Sequence, residues 1–297
     1  MSQERNAVDG VAIGVMLLLT SLWGFQQVAV KSIAGDVSLV MQAALRSIIA
    51  AALLLAWARL RGHSLFLRDG TLGAGLLAGA LFAAEFVFIY AGLAHTDASR
   101  MSVFVYLAPP LTALGLHFFV RSERLTLRQW MGLALAFAGV AAAFAEGFGA
   151  RGAVTWRGDL CGVIAAFLWA ATTVVVRATS LARATAAKTL FYQLAVSALA
   201  LPAASVLLGE TGVRALTPLV AASLAYQGVI VAFASFLAWF WLLTRYLAAP
   251  LSVLSFLTPM FGVLAGVVFL SEPISATFVV AALAVAAGIV LVHLRRG

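Results

Sequence analysis

Charge is scarce in this sequence: 10% of its 297 residues are Asp, Glu, Lys or Arg, against about a quarter in an ordinary soluble domain. That scarcity argues against a water-soluble fold. Cysteine is nearly absent, and the single Cys161 excludes an intrachain disulfide and any thiolate metal cluster, leaving it the role of a small packing residue. Long polar connections are missing too. The longest, over 146–157, leaves no room for a soluble domain. Catalytic signatures are also lacking: there is no HExxH pair, no GxSxG elbow and no Walker loop. His63, His95, His117 and His293 are scattered, so neither a metal site nor a cofactor is expected, and the chain is not read as an enzyme.

What is there instead is apolar: 64% of the residues are hydrophobic, gathered in blocks of about 20, the length a helix needs to cross a hydrocarbon core of about 30 Å. The alternating polarity of a membrane β-barrel is not found. Blocks near 11–31, 38–60, 71–94, 99–120, 126–145, 158–178, 185–208, 218–244, 249–270 and 274–294 predict ten helical spans. The stretch before the first block is short and polar with no signal-peptide cleavage pattern after it, so that block is read as a retained span.

The formal net charge of +8 reads as topology rather than as a nucleic-acid surface. With the N-terminus in the cytoplasm, thirteen Lys and Arg residues fall at cytoplasmic span ends, against Lys31, Arg100, Arg151, Arg157 and Arg214 at the opposite ends. This is the positive-inside asymmetry. It predicts a multi-pass protein of the bacterial inner membrane with both termini cytoplasmic and lipid as its surroundings.

The sequence repeats itself. LWGFQQVAVK (Leu22 to Lys31) matches LWAATTVVVR (Leu168 to Arg177), aligning Trp23 with Trp169 and Lys31 with Arg177. SVFVYLAPPLTALG from Ser102 matches SVLSFLTPMFGVLAG from Ser252, aligning Pro109 with Pro259; Glu123 then falls opposite Glu272, and Gly139 opposite Gly288. The halves are 1–148 and 149–297. Five spans each is an odd number, so the second half enters the membrane inverted, an arrangement that recurs in secondary transporters because two opposed halves can expose one central site alternately to either side. A channel or a sensor remains as the alternative class, but leaves the inversion without a purpose.

These motifs resemble the ten-helix EamA branch of the drug/metabolite transporter superfamily, which shows Trp, Gly and a basic residue in its first span (here Trp23, Gly24 and Lys31). It also shows a proline followed by a glutamate in spans 4 and 9 (Pro109 with Glu123, Pro259 with Glu272). Ala170 stands where the first half has Gly24, so the span 1 motif is half duplicated. Within the superfamily the likeness is to the YddG-type bacterial exporters, which implies efflux of aromatic amino acids and related metabolites. Sugar phosphates, nucleotide sugars or drugs are the alternative cargoes of the same superfamily. Ten helices suffice for a cavity in one chain, so a monomer without an obligate protein partner is expected.

A buried charge at mid-span costs about 2.5–3.5 kcal/mol, and Arg46 in span 2 and Glu85 in span 3 stand out for it. Both lie roughly 12–14 Å below the outer surface by helical rise, where they are expected to pair, with a substrate carrying both amine and carboxylate competing for them. Glu85 is alternatively a proton carrier; its counterpart is Ser235, so the second half repeats no carboxylate there. Thr20, Trp23, Gln27 and Lys31 share one helical face, and span 6 echoes it with Trp169, Thr173 and Arg177. Ser223 and Gln227 share a face of span 8 near Tyr226, Trp239 and Trp241. From these, with Phe82, Tyr90, Tyr106 and Tyr192, the candidate substrate-binding set is Trp23, Gln27, Arg46, Phe82, Glu85, Tyr90, Tyr106, Trp169, Thr173, Tyr192, Gln227 and Trp239. Pro109, Pro110 and Pro259 are candidate hinges, and Gly75, Gly79, Gly262 and Gly266 are packing positions.

Overall fold

The computed structural model describes residues 6–93, 95, 98–145, 156–270 and 276–293; Glu272, opposite Glu123 in the repeat, lies outside them. The described chain is helical throughout, and its strand-like pairing consists of two isolated bridges, Asn6 with Tyr246 and Val37 with Val213. Its helices are α1 (Gly10–Ser32), α2 (Leu39–Leu60), α3 (Leu72–Leu93), α4 (Ala98–Val105), α5 (Ala108–Phe119), α6 (Leu127–Ala143) and α7 (Trp156–Ala178). Then follow α8 (Ala186–Leu207), α9 (Pro218–Ala225), α10 (Phe236–Arg245), α11 (Ala248–Leu254), α12 (Leu257–Leu270) and α13 (Ala276–His293). Among the described residues nine helical stretches are long and apolar enough to cross a membrane, and α6 is a shorter apolar tenth.

Three of these stretches are interrupted, two of them ahead of prolines. The fourth breaks at Tyr106 and Leu107 because Pro109 and Pro110 have no N–H to give to Val105 and Tyr106; both prolines sit in the first turn of α5, where that loss costs little. The ninth breaks at Ser255 and Phe256, ahead of Pro259 in the first turn of α12, with tight bonds from Ser255 N to Ser252 O (3.1 Å) and from Thr258 N to Ser255 O (2.9 Å) bridging the gap. Where a mid-helix kink was expected, the prolines thus begin new helices. Between α9 and α10, Tyr226–Ser235 is π-helical over ten residues, which neither composition nor periodicity had announced.

Lipid offers helix ends no hydrogen-bond partners, so they must be satisfied by the chain. Asp9 accepts from Ala12 N (2.9 Å) at the start of α1, Thr126 and Gln129 form a capping box at α6, and Thr185 and Thr217 cap α8 and α9. Glu210 accepts from Val40 N (3.0 Å) and Met41 N (3.1 Å) at the start of α2, and from the hydroxyls of Ser38 and Ser205.

The main helix contacts run between the two halves of the sequence: α6 packs on α13, α3 on α7 and α8, α2 on α8 and the π-helical stretch, α1 on α12, and α5 on α7. Glycines permit the closest crossings. A Cβ on Gly288 would stand 2.5 Å from Gly132 O, one on Gly24 2.7 Å from Gly262 N, and ones on Gly75 and Gly79 would strike Tyr192 and Val196, the close-packing role read for Gly75, Gly79 and Gly262. The surroundings of Gly266 lie outside what the structure describes. Asn6, Asp9, Glu123, Arg177, Tyr246 and Ala248 meet at one end of the bundle, here called the terminal face; Asp36, Ser38, Glu210 and Arg214 meet at the opposite face.

Candidate functional site

Along α3, Phe82, Phe86 and Tyr90 stand four residues apart, so one helical face carries three rings. Phe82 meets Phe86 edge-on at 5.0 Å, and Phe86 stacks on Tyr90 at 6.2 Å. The row continues onto α10 through Phe82 and Phe236 (5.9 Å), then to Trp23 of α1, which meets Phe236 at 6.2 Å and Trp239 at 6.0 Å, both edge-on. Six rings from three helices thus form one aromatic wall in which Trp23, Phe82, Tyr90 and Trp239 were expected. Phe86 and Phe236 were missed, although their i, i+4 and i, i+3 spacing from Phe82 and Trp239 was readable.

Trp23 is fixed in this wall by Ser235. Its indole Nε1 donates to Ser235 Oγ at 2.8 Å, while the hydroxyl donates to Val231 O one turn back at 2.6 Å. The serine is buried. In the sequence it is marked only as the residue opposite Glu85.

Arg46 and Glu85 are both buried, 2% and 7% exposed, but among the described residues no salt bridge within 4.0 Å joins them. The direct pair expected from their depth is therefore not formed. Arg46 instead places its guanidinium 4.3 Å from the centre of the Phe86 ring, with Nε lacking a hydrogen-bond partner among the described residues, and Tyr90 and Glu85 are its electrostatic neighbours. The difference is a matter of reach: Phe86 directly follows Glu85 and presents a ring face to the cation. A cation–π contact contributes about 0.5–2 kcal/mol, less than the ~2.5–3.5 kcal/mol or more that a mid-membrane cation costs. An anionic group beside Arg46 would be stabilised.

A second cluster joins Tyr106 to Trp169 (6.1 Å, edge-on) and to Phe256 at the break of the ninth stretch (6.2 Å). It belongs to the same apolar core as Trp23 and Trp239. Thr173 turns its hydroxyl back to Trp169 O at 3.3 Å. Gln27 lies exposed on α1, its Cγ 4.0 Å from where a Cβ on Gly262 of α12 would stand.

Two expected residues lie elsewhere. Gln227 donates to Gln42 Oε1 (3.0 Å) and Ser223 Oγ (3.1 Å); Gln42 in turn donates to Val30 O and Val37 O, and Ser223 to Ala29 O. That buried network ties α1, α2 and the π-helical stretch together near the opposite face. Tyr192 sits at the terminal face, its ring against Gly75 and its hydroxyl 3.1 Å from Thr71 Oγ1. Beside it Lys188 bonds Asp69 at 2.8 Å and Leu67 O at 2.6 Å. Hydrogen bonds from Lys188, then Thr71, hold the Asp69 carboxyl well below its usual range, at about 2. A further polar pair escaped the sequence reading: Gln193 and Ser197, one turn apart on α8, are fully buried, and neither side chain finds a hydrogen-bond partner among the described residues.

A profile of the EamA-like transporter family matches residues 11–145 and again 156–294. The chain belongs to the EamA-like transporter family. EamA membership makes this a multi-pass transporter of the drug/metabolite superfamily, acting on small molecules in a lipid setting. Among curated proteins nothing matches. One solved crystal structure, of a protein with no stated activity, is similar at a TM-score of 0.81 and 22% identity over 96% of each chain, which makes the EamA chain's fold a known one without assigning a substrate.

Proposed function

We propose that this EamA-family transporter exports aromatic amino acids and similar bulky metabolites across the bacterial inner membrane by alternating access. The supporting observation is the six-ring wall with a buried guanidinium at one end that no carboxylate bridges among the described residues. Aromatic rings favour edge-on or offset partners, so Trp23, Phe82 and Trp239 suit a flat apolar side chain. Arg46 suits the carboxylate of the same molecule, and Glu85 its ammonium. Tyr106 and Trp169 extend the apolar lining, with Thr173 and Gln27 as polar edges. A sugar phosphate carries more negative charge than Arg46 alone balances, and Glu85 would repel it.

In this reading the chain makes ten spans in two inverted halves, the terminal face is cytoplasmic, and the interruptions at Pro109, Pro110 and Pro259 are the hinges that let each half-span swing. Titration calorimetry of the detergent-purified protein with tryptophan, phenylalanine and a hexose phosphate tests the substrate class. Binding of the two amino acids, weakened at least about tenfold (~1.4 kcal/mol) by Trp23→Ala, is the expected outcome; binding of the hexose phosphate alone would overturn it.

A further inference from the structure

At the terminal face every residue of α11 is buried, and Phe256 just beyond it is fully so. One carboxylate gathers several elements at this end. Glu123, in the short turn after α5 and 1% exposed, accepts from the amides of Ala248 (3.0 Å) and Ala249 (3.2 Å), the first two residues of α11, and from Arg177 at the end of α7. Arg177 also donates to Leu243 O of α10 at 3.0 Å. Glu123 lies in the first half of the sequence, and all of these partners lie in the second.

We infer that Glu123, Arg177 and the first turn of α11 are the latch of this face, and that opening it for substrate entry consists of withdrawing the carboxylate from the α11 amides. This rests on the alternating-access reading above. The chemistry permits a reversible latch. Sealed from water, a carboxylate accepting from two backbone amides and a guanidinium is strongly held; once the halves part, water solvates the same charges and amides, so the open state is not left with orphaned groups. A pair serving only to staple α5 to α7 would not need α11, whose seven residues are all buried. The contact spans both halves, so it cannot persist while they separate here.

The test uses the full chain with Cys161→Ala and a reporter thiol introduced by Ser255→Cys, at a position buried behind α11 (Ser255 is 1% exposed). In vesicles of known orientation, a membrane-impermeant maleimide applied from the terminal side should label the reporter thiol slowly in the parent. It should do so about tenfold faster after Glu123→Gln, and to an intermediate degree after Glu123→Asp, which keeps the charge but shortens the reach. Arg177→Gln should also speed labelling. Unchanged labelling in monodisperse, thermally cooperative Glu123→Asp and Arg177→Gln proteins would overturn the latch, even if tryptophan is transported. Faster labelling in a protein that moves no tryptophan would keep the latch and discard the substrate assignment.

Discussion

The indole of Trp23 on α1 hydrogen-bonds Ser235 at the end of the π-helical stretch, across 2.8 Å and across the two halves of the chain. A π-helical insertion offsets the residues after it from their α-helical register and is often found at functional sites. Here it delivers Ser235, Phe236 and Trp239 together to the ring of Trp23. Ser235→Ala leaves the half-buried indole N–H without its acceptor, a cost of about 1 kcal/mol. The expected result is a lowered melting temperature and an increase in KM for tryptophan, while Ser235→Thr, which keeps the hydroxyl, stays near wild type. Transport kinetics on both variants decide this.

Arg46 is the residue on which the carboxylate assignment depends. Arg46→Gln removes a cation whose burial is offset only in part by Phe86, so the protein should fold as well as or better than the parent. Affinity for tryptophan should fall at least about tenfold, while affinity for its decarboxylated amine should change little. Equal losses for both ligands would mean that Arg46 does not meet the carboxylate.

Replacing the prolines tests the breaks. Pro109→Ala or Pro259→Ala restores a backbone donor in the first turn after each interruption and lowers the barrier to a continuous helix. The account predicts unchanged tryptophan affinity with a turnover reduced several-fold, seen as a kcat effect in initial-rate measurements. Native turnover in both folded variants would make the breaks static bends.

At the terminal face the ion pair of Asp69 and Lys188 gives a pH signature. Because the folded pKa of Asp69 is lowered from 3.8 to about 2, its stabilisation is fully present above the unfolded value and is lost as the pH falls from there through about 2. Thermal melts at about pH 5 and about pH 2.5 should therefore show a smaller acid-induced drop for Asp69→Asn than for the parent. An equal drop in both would show that other carboxylates carry the acid sensitivity.

How far the sequence could be read depended on whether a feature is local. Span lengths and the Trp23, Trp169, Pro109 and Pro259 matches are carried by contiguous residues, and the family model matches twice along the chain, over 11–145 and 156–294. Partners across helices were not legible. Arg46 and Glu85 are both buried, but a depth read from helical rise does not say which way a side chain turns, and the guanidinium meets Phe86. Tyr192 was grouped with the other rings by type, although its neighbours Gly75 and Thr71 hold it at the terminal face. Glu123 was visible as a motif; that it caps a helix of the other half was not, because α11 exists only through the break at Ser255 and Phe256.

Uptake of labelled tryptophan into proteoliposomes preloaded with unlabelled tryptophan tests whether the protein carries an aromatic amino acid. The account predicts counterflow that is competed by phenylalanine but not by a sugar phosphate, is lost with Arg46→Gln, and proceeds without an imposed pH gradient. Counterflow of the sugar phosphate with none of tryptophan would contradict it.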